Sequence, residues 1–83
     1  MNFFDQIKKK IKDKINIEDI IVIDNSHLHA KHKSFDSNKL HLKIIIKSEE
    51  LKKMTKVESH KKIFSILKDE MKNKIHALEI EIR

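Results

Sequence analysis

Six histidines and no cysteine set the chemistry open to this 83-residue chain. Soft-metal chemistry must run through imidazole, with any thiolate supplied from outside. His27, His29 and His32 fall in the polar run from Asp24 to His32, His76 opens the late segment His76-Ala77-Leu78-Glu79-Ile80, and His41 and His60 lie between. Taken alone, His29 reads as a solvated loop residue and His76 as a hydrogen-bonded polar residue at a strand start. His27, His29 and His32 also have the form of an adventitious site for a divalent transition metal. The lack of cysteine excludes disulfides, zinc knuckles, thiol nucleophiles and redox chemistry by this chain alone.

The elements that must position these residues are few. A chain of this length holds one domain, residues 1–83, with a modest core. Lys plus Arg 19 against Asp plus Glu 13 gives a net charge of +6, which favours an acidic partner: nucleic acid, an anionic membrane or an acidic protein face. Isoleucine and lysine dominate while glycine and proline are absent, so drift toward A/T-rich codons accounts for part of that charge. The N-terminus turns basic at once, and no apolar run approaches the roughly 18 to 20 residues of a spanning helix, so a soluble cytoplasmic protein is expected.

Phe3, Phe4, Ile7, Ile11 and Ile15 recur at three- and four-residue intervals, which predicts an amphipathic helix. The same pattern would suit a helix lying on a membrane, but so small a chain needs the face for its core. Ile17 to Asp24 reads as a β-branched strand ending in the turn formers Asp24-Asn25-Ser26. Leu40, Leu42, Ile44 and Ile46 alternate with His41, Lys43, Ile45 and Lys47, a second strand whose less buried face carries His41. Between them Asn25 to Lys39 forms a polar loop, long for a hairpin and therefore a candidate functional segment. Ser48-Glu49-Glu50-Leu51 reads as a short helical turn, and Thr55-Lys56-Val57-Glu58 as a capping box. The long helix it opens should bury Val57, His60, Phe64, Leu67 and Met71, with His60 hydrogen-bonded near the cap, and should end at Lys72-Asn73-Lys74. A last strand should place His76, Leu78, Ile80 and Ile82 on one face and Ala77, Glu79 and Glu81 on the other.

This α-β-β-α-β order resembles the BolA family over nearly the whole chain. Four pieces carry the match: Asp24-Asn25-Ser26-His27-Leu28-His29 (family form Asp-x-Ser-x-x-His), Leu40-His41-Leu42-Lys43, Ser59-His60-Lys61 and Ile75-His76-Ala77-Leu78. The resemblance implies an α+β fold similar to the class II KH domain. Its three-stranded mixed sheet would pack against helices, the first two strands antiparallel and the last parallel to the second. It also implies a partner, a monothiol glutaredoxin of the Cys-Gly-Phe-Ser type. The two proteins would share a 2Fe-2S cluster that glutathione helps to hold, in iron regulation or cluster maturation, with none bound by the isolated chain. Carried over, the ligands on this side are His29 and His76, with His32 in reserve, which places the chain in the histidine subclass. Neutral imidazole replaces thiolate on one iron in Rieske centres and raises the potential. Because the ring must be neutral to bind, affinity should fall as the pH drops toward about 6.5. The chain departs from the family pattern in the loop, where Lys31 stands in place of the usual glycine.

The alternative is DNA binding by a transcriptional regulator, as family members are described. Lys52, Lys53, Lys56, Lys61, Lys62 and Lys68 crowd the short turn and the second long helix, which together have a helix-turn-helix look. Lysines on phosphate give affinity without reading sequence. The Gly-x-x-Gly clamp of KH domains is closed to a glycine-free chain, and Arg83 is the one arginine, so base reading is poorly equipped. No third orienting group accompanies Ser26 or Ser59, so no catalysis is expected. The isolated chain is expected to be a monomer, with a weak homodimer as the alternative.

Overall fold

The computed structural model describes residues 2–26 and 40–83. Helix α1 spans Phe3–Lys14. The Asn2 side chain caps it by accepting the Asp5 N–H at 2.8 Å, and Ile7 and Ile11 are buried along its inner stripe. Lys12 and Lys14 sit in the last turn, where cations complement the helix dipole. Every described residue keeps a negative φ, in keeping with a chain that has no glycine. Helix α1 therefore ends without a left-handed cap: Ile15 drops into extended backbone and its side chain stays in the core.

Strands β1 (Asp19–Asp24), β2 (Leu40–Lys47) and β3 (Ile75–Ile82) form one sheet in that order. β1 runs antiparallel to β2, from Asp19 opposite Lys47 to Asp24 opposite Leu42, and β3 runs parallel to β2. A parallel return needs a long crossover. Here it is α2 (Glu49–Lys52), α3 (Lys56–Ile66) and α4 (Lys68–Asn73). The helices contribute Ile7, Ile11, Leu51, Ile63 and Leu67 to the same apolar cluster as Ile20, Leu42, Ile44, Ile46 and Ile80 of the sheet, leaving the other sheet face uncovered among the described residues.

Two polar links tie the layers together. Buried Ser48 caps α2 by accepting the Leu51 N–H, and its hydroxyl donates to the Asn16 carbonyl at 2.7 Å. Glu50 accepts from Lys62 at 3.2 Å and from the Asn16 N–H at 3.3 Å, and these bonds, the Lys62 one first, hold its carboxyl below the usual range.

The capping box at the start of α3 is present as the sequence predicts. Thr55 Oγ1 accepts the Glu58 N–H at 3.1 Å while Glu58 accepts the Thr55 N–H at 3.0 Å. Thr55→Ala should lower the stability read from urea unfolding by about 1 kcal/mol, and an unchanged midpoint would refute that role. The same bonds depress the Glu58 carboxyl. Its stabilising share is complete above the unfolded carboxylate range and is lost as the pH falls through the folded value, so Glu58→Gln should flatten the acid limb of the pH profile.

The face of the second long helix differs from the sequence expectation. Leu67 (φ −96°, ψ 19°) interrupts it, so that α3 and α4 are separate helices. The buried positions of α3 are Ser59 and Ile63, whereas Val57 is 63% and Phe64 37% exposed. Ser59 enters the core without an orphaned hydroxyl because its Oγ donates to the Lys56 carbonyl at 3.0 Å. His60 is half-buried and hydrogen-bonded as expected: Nδ1 lies 2.9 Å from the same carbonyl oxygen, which only an N–H can address.

Candidate metal and partner site

The start of β3 is irregular, and that irregularity places His76. Leu40 pairs with Ile75 but His41 pairs with Ala77, so one extra residue, His76, is accommodated on β3. A one-residue slip sends a side chain to the opposite face of a sheet. The expectation that His76 shares a face with Leu78, Ile80 and Ile82 is therefore corrected. Ile75 takes the buried position, and His76 is exposed with its ring centroid 5.0 Å from that of His41 at an interplanar angle of 42°.

His41 projects away from Leu42 to the sheet face opposite the helices, as the alternation of β2 requires. Both of its ring nitrogens are shielded from solvent. The ring packs against that of His76 on the neighbouring strand. Sequence reasoning gave His41 no chemical role. Its place on the outer face was legible, but the contact with His76 depends on the pairing of β2 with β3.

His27, His29 and His32 lie outside the described residues. The backbone on either side of them is fixed beside the histidine pair. The Asn25 N–H donates to the His41 carbonyl at 2.8 Å, the His41 N–H to Ser26 Oγ at 3.1 Å, and the Leu40 N–H to the Lys74 carbonyl at 2.9 Å. Asp24 Oδ1 accepts the Ser26 N–H at 2.9 Å, an Asx turn that closes the strand. The chain thus leaves β1 next to His41 and returns at β2 next to the first residues of β3.

Further along the outer face, Lys43 reaches Glu79 at 3.0 Å and Glu81 at 3.5 Å; the bond to Glu79 is the main reason that its ammonium pKa is raised. No group of three or more metal-ligating side chains gathers among the described residues. Of the lysines picked out in sequence, Lys52, Lys53, Lys56, Lys61 and Lys68 are exposed, while Lys62 is half-buried and paired with Glu50. No helix among the described residues is long and apolar enough to cross a membrane.

A mixed three-stranded sheet with helices on one face and an imidazole pair on the other defines an α+β domain. The sequence profile of the family described as BolA-like protein matches residues 11–83, and the chain belongs to that family. It is 30% identical over 80 residues to the UV-induced protein uvi31 of Schizosaccharomyces pombe, covering 92% of this chain and 78% of that one. It is also 30% identical over 76 residues to a Haemophilus influenzae protein named DNA-binding transcriptional regulator BolA, covering 92% and 71%. Among solved structures, the BolA domain of SufE1 from Arabidopsis thaliana matches with a TM-score of 0.82 at 27% identity, over 100% of this chain and 93% of that chain.

Proposed function

We propose that this protein is a non-enzymatic partner of a monothiol glutaredoxin of the Cys-Gly-Phe-Ser type, and that the two share a 2Fe-2S cluster as cargo for iron-sulfur maturation, trafficking or iron regulation. The observation that carries the reading is the exposed His76, turned out of the core by the extra residue on β3 and lying where both ends of the His29-bearing segment are tied down. The donor set fits such a cargo: the chain offers imidazoles and no thiolate, so the remaining ligands must come from a cysteine-bearing partner and glutathione. His76 is the ligand on the folded frame, His29 the ligand from the segment, and His32 its reserve. His41 orients His76 from the neighbouring strand. Visible absorption and circular dichroism of the cluster-loaded glutaredoxin with glutathione, titrated with this protein, test the reading. A saturable one-to-one spectral change supports it, and an unchanged spectrum without complex formation refutes it.

A second reading, DNA binding, is supported by the name carried by the Haemophilus influenzae relative and by the exposed Lys52, Lys53, Lys56, Lys61 and Lys68. Lys62 would contribute least, since Glu50 already holds it. On this reading affinity for a duplex falls steeply with salt, and Lys53→Glu with Lys61→Glu makes that dependence shallower by about two phosphate contacts. An unchanged salt slope would remove the lysine face from the interface.

A further inference from the structure

A cleft among the described residues lies away from the His41–His76 pair, between the α2–α3 turn and the second half of β3. It encloses about 380 Å³, within the range of about 300–1,000 Å³ typical of ligand sites. Leu51, Met54, Ile80 and Ile82 supply its apolar surface, with Lys52 and Lys56 lining it as well. The other polar groups of the lining are already engaged. Ser59 and His60 bond the Lys56 carbonyl, and Glu81 is neutralised by Arg83 and Lys43. Lys52 and Lys56 form no ion pair among the described residues.

One wall of the cleft is a sheet edge. The Arg83 N–H donates to the Ile46 carbonyl and the Arg83 carbonyl accepts the Ser48 N–H, so the backbone of Arg83 faces β2. Successive residues of a strand turn their backbone groups to opposite sides. Those of Ile82 and Ile80 therefore point away from β2, to the edge of β3 that no described strand covers. An open edge beside an apolar hollow is the arrangement by which an extended peptide adds a strand: backbone hydrogen bonds give affinity and the hollow selects a side chain.

We propose that this cleft docks an extended acidic segment of a partner protein, bound as a fourth strand along β3. One aliphatic side chain of that segment sits on Leu51, Met54, Ile80 and Ile82, and flanking carboxylates meet Lys52 and Lys56. Methionine at position 54 suits such a contact because its unbranched side chain adapts to varied shapes. Single-stranded nucleic acid fits the same cations less well. Among the described residues no phenylalanine, tyrosine, tryptophan or arginine lines the cleft, and its one ring, that of His60, is held by the Lys56 carbonyl, whereas sequence-tolerant strand binding relies on stacking bases against such groups.

The probe is a capped, fluorescein-labelled peptide of alternating glutamate and leucine, titrated into the full chain by anisotropy and followed by amide shifts in NMR. Saturable binding with shifts at Leu51, Met54, Ile80 and Ile82 is expected, weakened about tenfold by Lys52→Glu with Lys56→Glu. A peptide N-methylated at alternate residues should fail to bind. The proposal is overturned by shifts confined to another face, by equal binding of the N-methylated peptide, or by no binding at millimolar peptide. Displacement from the cleft by an equal concentration of oligothymidylate would assign it to nucleic acid instead.

Discussion

His76→Ala abolishes the spectral change that the wild-type chain is expected to produce with cluster-loaded glutaredoxin, while leaving the fold intact. The first half follows from the donor set. With no cysteine in the chain, loss of the one described imidazole that is both exposed and beside the tethered segment leaves the frame without a ligand. Substitution of a ligand usually removes the site, whereas substitution of a residue that orients it costs about 10–100-fold in affinity. His41→Ala should therefore weaken the complex and His76→Ala should eliminate it. The second half follows from exposure. An exposed side chain changes stability by about 0.5 kcal/mol or less, and alanine can occupy the same extra backbone position on β3, so the thermal midpoint of His76→Ala should stay near that of the wild type. An unaltered spectrum with His76→Ala would refute its role as ligand. His29→Ala and His32→Ala, measured in the same titration, rank the segment's histidines.

The largest stability effect is expected at Ile44. Its side chain is fully buried at the centre of the sheet, with Val22 of β1 and Ile80 of β3 as its cross-strand neighbours. Ile44→Ala removes three carbons from a site hemmed in by both neighbouring strands and the helix layer, so little collapse can refill the space. The expected cost is about 3–4 kcal/mol. A chain of this size has roughly 4–12 kcal/mol in total, so the midpoint of thermal unfolding should fall by some 12–30 °C. Ile45→Ala is the internal comparison. Ile45 lies one position along the same strand on the face opposite the helices and is half-buried, so its truncation should cost less than about 1.5 kcal/mol. Equal costs at the two positions would contradict the sidedness of the sheet.

Both expectations depend on which face a residue takes, and here sequence and tertiary structure divide the work unevenly. Helix α1 was legible because its signal is local: apolar residues repeat at helical intervals and Ile7, Ile11 and Ile15 are indeed buried. The capping box was legible because Thr55 and Glu58 need only one another. The alternation of β2 fixed the sides of His41 and Leu42, and the family motifs carried the mixed topology, in which β1 is antiparallel and β3 parallel to β2.

The face of α3 was not legible, since periodicity read through to Met71 assumes one unbroken helix. The interruption at Leu67 separates the phase of α3 from that of α4, and the buried line passes through Ser59 and Ile63 rather than Val57 and Phe64. The cleft beside β3 was equally hidden, because its walls come from α2, α3 and β3 and no short stretch of sequence contains it. His76 shows the division most sharply. Its residue type, and its role as a candidate ligand, belong to the sequence and the family motif. Its outward side and its contact with His41 come from one extra residue in the pairing of two strands that lie far apart along the chain. Local spacing determines which residues can share an element, but hydrogen-bond register between distant strands decides which side of the sheet each residue finally faces.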